Sequence, residues 1–435
     1  GAFQNLQDLG IAVQLLHGVF LAVAVAAQHL NGILRSLHAA IAAGADSVYF
    51  GVGALNMRAA SAANFTLDDL DEIVKIAHKA GVKAYLTVNT IIYDNEIEQM
   101  HAVVDRAAAA KVDAIIAADQ SVMLYARQRG VEIHLSTQLN ISNSEALEFY
   151  AQWADVAVLA RELSLDQVAS IHRAIEERNI CGPSGEKIRI EMFAHGALCM
   201  AVSGKCYLSL HETGCSANRG ACRQICRRSY TLTDRETGAQ LDTEGQWILS
   251  PKDLCTIDFL DKFIESGVRV LKIEGRARGG EYVKRVVECY DRALRMIEAG
   301  EYTPEAAEQL RTQLAEVFNR GFWNGYYLGQ RLGEGTRHYG SNATERKIYA
   351  GKGIRYFSNI GVAEFLVEAA ELHVGDKLLI TGHTTGAMYV TLDEARVNLK
   401  PVDIVKKGAH VSFKVPDRIR PNDKLYIMHP TGIEE

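Results

Sequence analysis

Residues 46–51, Asp-Ser-Val-Tyr-Phe-Gly, and residues 83–89, Lys-Ala-Tyr-Leu-Thr-Val-Asn, are the two short β-rich runs that decide the fold. Between them, residues 67–80 place apolar side chains at the spacing of an amphipathic helix. Two buried strands joined by a helix form a βαβ unit, and such a crossover makes the strands run parallel. The stretch therefore predicts an α/β protein with a parallel sheet.

The same alternation continues along the chain. Further helices are predicted at residues 96–110, 144–153 and 165–178, between apolar runs typical of strands buried on both faces. The predicted strands are residues 46–51, 83–89, 114–118, 132–137, 156–160, 188–194 and 269–274. An eighth strand would close a barrel, and residues 11–16 are the only candidate for it. We therefore predict a (β/α)8-type barrel with an inserted cysteine cluster and a poorly defined opening strand.

The character of the sequence changes after residue 274. Two amphipathic helices are predicted at residues 281–298 and 304–318, and short alternating strands begin at about residue 344. These strands are predicted at residues 361–367, 376–381, 387–391, 410–415 and 424–428. We expect three parts: an atypical N-terminal segment (1–35), a barrel domain with a helical extension (36–343) and a small C-terminal β-barrel (344–435).

Composition and charge bound the function only loosely. The chain has 435 residues and a net charge of −6, so no global basic field marks a nucleic-acid binder. The apolar stretch at residues 11–30 has no basic region before it, and Gln14, His17, Gln28 and His29 interrupt it. It fails as a signal peptide and as a membrane span. We expect a cytoplasmic protein with neither a membrane nor a DNA partner.

Five of the eight cysteines lie between Cys199 and Cys226, with the spacing Cys199-x6-Cys206-x15-Cys222-x3-Cys226. Clustered thiols in a reducing compartment indicate metal binding or catalysis, and soft thiolates suit zinc or iron–sulfur groups. Zinc sites usually use tight cysteine pairs, whereas irregular spacing suits a larger cluster. Cys255 is a rival for Cys226 as fourth ligand, and unligated buried thiols are the structural alternative.

Polar residues follow several predicted strands, and in a barrel these strand ends share the rim where active sites are built. Four residues on or after two such strands are catalytic candidates: Glu191, His195, Lys272 and Glu274. We favour His195 for proton transfer because its unperturbed pKa is about 6.5. A structural histidine beside the cysteine cluster is the alternative reading.

Four further rim residues are candidates for substrate binding: Asn89, Gln138, Arg161 and Arg276. The two arginines suit a carboxylate or phosphate, because a guanidinium group can donate two parallel hydrogen bonds to either. Salt bridges to Glu162 or Glu274 are the structural alternative for the two arginines.

The segment Glu191-Met-Phe-Ala-His195-Gly-Ala-Leu-Cys199-Met-Ala-Val-Ser-Gly-Lys-Cys206-Tyr-Leu-Ser209 resembles the signature of the U32 peptidase family. Other stretches resemble family blocks in family order: residues 44–51, Leu135-Ser-Thr-Gln138, Leu159-Ala-Arg-Glu-Leu-Ser164, Ser250-Pro-Lys-Asp-Leu254 and Lys272-Ile-Glu-Gly-Arg276. The resemblance covers residues 36 to about 330. It departs at residues 1–35, which contain no proline, whereas family members open with a strand and a Pro-Ala-Gly-type turn.

The resemblance implies a barrel-like catalytic domain with a [4Fe–4S] cluster on Cys199, Cys206, Cys222 and Cys226. The Cys-x3-Cys ending and a terminal barrel of translation-factor type are most similar to the branch that hydroxylates tRNA. That branch converts the wobble uridine to 5-hydroxyuridine without molecular oxygen, in prephenate-linked chemistry. The resemblance thus implies tRNA as partner, and prephenate or another small molecule as co-substrate and oxygen donor.

The family name implies a different activity, the hydrolysis of collagen-like or other peptides. The residues offer little for it: no His-Glu-x-x-His and no Gly-x-Ser-x-Gly motif occurs. A dyad of Cys199 and His195 is conceivable, but a thiolate that holds a cluster is not free to attack a carbonyl. A third alternative is a non-catalytic iron–sulfur subunit that binds RNA or a partner protein.

Overall fold

The computed structural model describes residues 19–25, 30–57, 59, 65–228, 230–241, 247–275, 278–331, 333–336 and 340–432. In chain order the first strands are β1 (Phe20–Ala24), β2 (Ser47–Gly51), β3 (Lys83–Val88), β4 (Ala114–Ala117), β5 (Ile133–Leu135), β6 (Val156–Val158), β7 (Arg189–Ala197), β8 (Leu232–Thr233), β9 (Gln240–Leu241), β10 (Trp247–Pro251), β11 (Asp253–Cys255), β12 (Val268–Ile273), β13 (Phe322–Trp323) and β14 (Gly335–Thr336). Strands β1 to β7 pair in sequence order, and β12 pairs in parallel with both β7 and β1. The predicted eight-stranded parallel barrel is therefore confirmed.

Helices connect the barrel strands and cover their outer faces. They are α1 (Leu30–Ala42), α2 (Leu70–Lys79), α3 (Ile97–Ala110), α4 (Gln120–Gln128), α5 (Ser144–Ala151), α6 (Leu165–Arg178), α7 (Leu208–Thr213), α8 (Leu260–Glu265), α9 (Gly280–Ala299) and α10 (Pro304–Ala315). Short 3-10 turns occur at Asp94–Glu96, Thr137–Leu139, Ala217–Arg219, Ile225–Arg227 and Ile257–Phe259. None of the helices in the described ranges is both long enough and apolar enough to cross a membrane.

The first barrel strand is Phe20–Ala24, with the sequence Phe-Leu-Ala-Val-Ala, and not residues 11–16, which lie outside the described part of the chain. Ala22 and Ala24 belong to the small cluster that fills the barrel interior, together with Tyr49 and Ile116. Alanine has little β propensity of its own, so a strand chosen for small interior side chains has a weak sequence signal. The prediction for this strand was wrong for that reason.

Helix α4 spans nine residues and was not predicted. Its start is nevertheless encoded by Asp119, whose side chain accepts a 2.9 Å hydrogen bond from the backbone N–H of Ser121. Val122, Met123 and Ala126 form its buried face. The apolar pattern of this helix covers little more than two turns, so it does not stand out from the sequence of a loop.

Strand β7 continues beyond the barrel rim. Its last residues, His195 to Ala197, pair antiparallel with β11, and β11 pairs in parallel with β13. Gly196 makes this path possible: its φ is +109°, and a Cβ atom there would lie 2.6 Å from the carbonyl oxygen of Glu274. The extension leads from the barrel directly into the cysteine-containing segment.

The C-terminal part is an eight-stranded antiparallel sheet with a hydrophobic core of its own. Its strands, and a separate two-stranded pair (β17 and β22), are β15 (Glu345–Phe357), β16 (Val362–Val367), β17 (Leu372–His373), β18 (Lys377–Gly382), β19 (Gly386–Thr391), β20 (Ala395–Val397), β21 (Lys400–Val402), β22 (Ile404–Val405), β23 (His410–Lys414) and β24 (Lys424–Pro430). The rings of Phe365 and Phe413 stack in its core with centroids 4.9 Å apart. Lys377 contacts Glu316 of the barrel half at 2.9 Å. The domain boundary at 343/344 stays a prediction.

Substitution Gly196→Ala tests the β7 extension. We expect it to lower the free energy of unfolding by about 3 kcal/mol, because the new methyl group meets both a forbidden φ and the Glu274 carbonyl. Gly130→Ala is the matched control: Gly130 also has a positive φ, +70°, but open space around it, so about 1 kcal/mol is expected. Urea unfolding followed by circular dichroism measures both, and equal losses would contradict the crowding argument.

Candidate functional site

The carboxyl ends of the barrel strands open into a cavity of about 80 Å³. Two groups of residues line it. The barrel contributes Tyr49, Asn89, Gln138, Arg161 and Lys272, and the segment after β7 contributes Cys199, Cys206, Cys222 and Cys226. The structure thus brings all four predicted thiol ligands to the same cavity as four of the predicted rim residues.

Lys272 and Glu191 form an ion pair inside the barrel. Lys272 Nζ donates a 2.6 Å hydrogen bond to Glu191 Oε1, and both residues are at least 95% buried. The ammonium group also lies 4.1 Å from the centre of the Tyr49 ring. Glu191 Oε2 is buried and accepts no hydrogen bond within the described part of the chain. Such an under-satisfied buried pair is costly for stability and is typical of a functional site.

A polar network at the ends of β3 and β5 forms one wall of the cavity. Asn89 Nδ2 donates to Ser136 Oγ at 3.1 Å and to Gln138 Oε1 at 3.3 Å, while Asn89 Oδ1 accepts from the Met57 N–H at 3.1 Å. Gln138 Nε2 donates in turn to Ser203 Oγ, at 3.2 Å. The network therefore connects the barrel rim to the segment that carries the cysteines.

Arg161 lies flat over an aromatic ring on the neighbouring strand. Its guanidinium carbon is 3.6 Å from the centre of the Phe193 ring, and its Nη1 donates to the carbonyl oxygen of Ala197 at 3.3 Å. Stacking fixes the plane of the guanidinium group. The cavity therefore has two cationic groups on its wall, Arg161 and Lys272.

The four cysteine side chains differ in exposure but share one electrostatic environment. Cys199 is exposed and the other three are half-buried. Burial raises the pKa of Cys226 to about 11; Arg227 opposes this rise, and the thiolates of Cys199, Cys222 and Cys206 add to it. The Cys206 sulfur accepts a 3.5 Å hydrogen bond from the Leu208 N–H.

The donor set at this position fits an iron–sulfur cluster. Four thiols that line one cavity, with a backbone N–H that donates to one sulfur, are the donor types that such clusters use. Across the described ranges, no three histidine, cysteine, aspartate or glutamate side chains are grouped closely enough to hold a single metal ion.

Arg227 connects the cysteine-containing segment to the barrel. Its Nη1 donates to Ser250 Oγ at 2.7 Å and to the Pro251 carbonyl at 2.5 Å, and its Nη2 donates to the Leu198 carbonyl at 2.8 Å. Burial lowers its pKa to about 10, so the group stays cationic at neutral pH. A permanent positive charge beside Cys226 favours the thiolate form.

A second buried charge network lies behind this arginine. The Asp253 carboxylate contacts Arg278 at 3.4 Å and Arg320 at 3.3 Å. Asp253 lies in the Ser250–Leu254 block that resembles the family, but it was not predicted as a site residue. Its signal was available, because an acidic residue in an apolar stretch must find a partner when it is buried.

Four predicted residues do not line the cavity or are not described: Glu191, which contacts the cavity-lining Lys272, and His195, Glu274 and Arg276. His195 is buried behind β7 between the rings of Tyr282, Tyr290 and Phe322, and its Nδ1 lies 3.5 Å from the Tyr290 hydroxyl. Burial lowers its pKa to about 4, so it is neutral at pH 7. Glu274 is buried but does not line the cavity, and Arg276 lies outside the described residues.

Cys255, the predicted rival of Cys226, also lies away from the cavity. It is fully buried in β11, where it pairs with His195. Burial raises the pKa of its thiol to about 12, which keeps it protonated. Geometry therefore favours Cys226 over Cys255 as the companion of the other three thiols.

Comparison with known proteins is consistent with this arrangement. The model of peptidase family U32 matches residues 32–337. The chain is 60% identical to a collagenase of Porphyromonas gingivalis, over 91% of this chain and 95% of that protein. It is 36% identical to an uncharacterized protease of Methanocaldococcus jannaschii, over 92% and 97% of the two chains. It is also 36% identical to a tRNA hydroxylation protein of Bacillus subtilis, over 60% and 61%. The chain belongs to peptidase family U32.

Proposed function

We propose that this protein is an iron–sulfur-dependent RNA-modifying enzyme of the U32 family that hydroxylates the wobble uridine of tRNA at carbon 5. One observation carries the proposal: the four thiols line the same cavity as the polar residues of the barrel mouth. A cluster that only stabilised the fold would have no need to face the rim where barrel enzymes react. Relatives that hydroxylate RNA belong to the same family at 36–37% identity.

The proposed cluster would be held by Cys199, Cys206, Cys222 and Cys226. Hydroxylation replaces a ring C–H bond of the base by C–OH and removes two electrons from the base, so the small-molecule co-substrate must donate the oxygen atom and be reduced by two electrons in the same reaction. When bound, a [4Fe–4S] cluster supplies electron transfer at this position. The protein contributes the charge beside it, through Arg227, and the backbone N–H that meets the Cys206 sulfur.

The charges on the barrel side of the cavity suit a small anionic co-substrate. Lys272 has three N–H donors, of which one is used by Glu191, and the stacked Arg161 lies on the same wall. Two fixed cations at a cavity wall favour a carboxylate-bearing molecule such as prephenate. Asn89 and Gln138 offer amide groups that would orient the base or the co-substrate.

Iron analysis tests the cluster and its ligands. We expect the protein, purified and reconstituted without oxygen, to bind about four iron and four sulfide per chain. Cys226→Ser should lose most of this iron, because its thiol lies with the other three. Cys255→Ser should keep it, because Cys255 lies behind β7.

The same iron analysis can contradict the ligand assignment or the proposed cluster itself. Iron loss in Cys255→Ser with full iron in Cys226→Ser would reverse the ligand assignment. A colourless wild-type protein that binds zinc or no metal after reconstitution would overturn the proposed cluster.

Nucleoside analysis tests the reaction. In a strain that lacks tRNA uridine hydroxylation, the wild-type gene should restore 5-hydroxyuridine-derived nucleosides. The double variant Glu191→Gln/Lys272→Met should restore less than about a tenth of that amount, because the anion site loses the ammonium donors of Lys272 while no unpaired buried carboxylate remains. Liquid chromatography with mass spectrometry of digested tRNA measures the outcome.

Lys252→Met is the matched control for this variant. Its ammonium group pairs with Glu334 at the protein surface, 2.6 Å away, and does not line the cavity. It should restore the nucleosides fully. Full restoration by the double variant, with normal iron content, would show that the ion pair has no part in the reaction.

A hydrolase is the second candidate, since the relative with 60% identity is named a collagenase. The contacts of His195 give this activity little support, because its hydrogen-bonding neighbour is the Tyr290 hydroxyl and not a cavity thiol. A peptidase of this chain would therefore need another base near the cavity. The third candidate, a non-catalytic iron–sulfur subunit, is separated by the nucleoside analysis above.

A cleavage assay decides between hydrolysis and hydroxylation. We expect no cleavage of gelatin or of collagen-like peptides beyond the background of a mock purification. Cleavage that persists in Cys222→Ala, which removes a proposed cluster ligand, would favour the hydrolase.

A further inference from the structure

We propose that the outer rim of the cavity binds single-stranded RNA and that Tyr207 stacks on one unpaired base of it. The inference rests on the proposed function and deepens it, because it names the form in which the RNA is recognised. The rim is defined here by six exposed side chains around the cavity: Ile91, Tyr93, Met200, Val202, Tyr207 and Leu210.

Tyr207 is the most exposed member of the rim, at 76%. Its sequence neighbours Cys206 and Leu208 both line the cavity, so the ring stands at the edge of the opening with its body in solvent. It precedes the short helix α7, which holds the backbone at this point. A large aromatic ring left in water beside a polar cavity has an unsatisfied face that a planar ligand can cover.

Several exposed apolar side chains lie in the segments around this opening, and others lie elsewhere on the surface. Met200 lines the cavity and is 42% exposed, and Val202 lies in the same loop. On the opposite side, the Ile91 N–H donates to the carbonyl oxygen of Asn218, next to the cavity-lining Ala217. The rim residues therefore belong to one surface around one opening.

A second flat platform is already assembled on this surface. The guanidinium carbon of Arg219 lies 4.1 Å from the centre of the Tyr93 ring. The same arginine donates to the Ile91 carbonyl and pairs with Glu96, so its guanidinium group is held in place over the ring. Aromatic rings and arginine planes are the surfaces on which unstacked RNA bases lie.

The charge of the surrounding segment selects a polyanion over a peptide. Residues 199–230 contain one lysine and four arginines but a single acidic residue, Glu212, although the whole chain has a net charge of −6. Arg219 pairs with Glu96, Arg228 pairs with Glu212 and Arg227 is largely buried, so the exposed Lys205 and Arg223 are the cations that this segment offers to a phosphate backbone. These two cations lie in the same segment as four of the rim residues, so the surface differs from a purely apolar protein interface.

The depth of the cavity explains why the RNA would be unpaired. Lys272 and three of the four thiols are buried or half-buried, whereas the rim side chains are exposed, so a base held in a duplex cannot reach them. Enzymes that react with a base act on single strands or take the base out of its stack. Stacking on Tyr207 would compensate part of the cost of unstacking, without selecting the base identity.

Binding of a fluorescein-labelled tRNA anticodon stem–loop, measured by fluorescence anisotropy with the iron-loaded protein, tests the inference. Tyr207→Ala and Tyr207→Leu should each weaken binding by about fivefold or more, since both remove the ring. Tyr207→Phe should bind like the wild type, and a blunt RNA duplex should bind more weakly than the stem–loop. Phe149→Ala is the matched control, because Phe149 is an exposed aromatic residue near the end of α5, away from the rim.

Each possible result supports or contradicts the proposed stacking role of Tyr207. Wild-type affinity in Tyr207→Ala or in Tyr207→Leu, or equal binding of duplex and stem–loop, would overturn the stacking role. If tRNA hydroxylation in cells continues alongside that result, only this inference fails. A wild-type protein that binds no RNA overturns the proposed function as well. Iron content and the visible absorption spectrum of each variant confirm that the cysteine site beside residue 207 is unchanged. A collagen-like peptide is tested as a competitor of the labelled RNA. If it displaces the RNA and its own binding is lost in Tyr207→Ala, the rim is a peptide-binding surface.

Discussion

The pairing of β12 with both β7 and β1 is the constraint on which the rest of the structure depends. It closes the sheet, so the carboxyl ends of all eight parallel strands meet at one rim. Lys272 on β12 and Glu191 on β7 become neighbours only through this closure, although 80 residues separate them in the chain. The same closure directs the segment that follows β7 over the opening, which is how the thiols come to face the ammonium group.

The sequence predicted the barrel well because its strands are short, nearly continuous apolar runs separated by amphipathic helices. It failed at β1 and α4, where short elements rely on small side chains or on one capping residue. It also missed β15, a thirteen-residue strand with charged residues and two glycines, at which the pairing register shifts. The local sequence pattern cannot reveal such a strand, because β15 is extended by its backbone pairing with β16 and β24.

The candidate site likewise contains residues that the sequence identified and contacts that it could not predict. Spacing and residue type were sufficient to select the cysteines, Arg161 and Lys272, which all line the cavity. They could not show that His195 faces Tyr290 on the other side of β7, because a strand bend at Gly196 decides which face a side chain takes. Nor could they show that Arg227 and Asp253 form linked buried charges, since those contacts join segments that only the fold brings together.

The antiparallel pairing of β7 with β11 has a consequence for how such a site can change during evolution. Ala197 is paired with Asp253, so the long stretch between them leaves and re-enters the barrel at the same place. The entropy of closing a loop grows only slowly with its length. The stretch can therefore be lengthened, shortened or exchanged as a cassette at little cost to the scaffold. Proteins with one barrel could thereby acquire different substrates, which makes a shared family name a poor guide to a shared reaction.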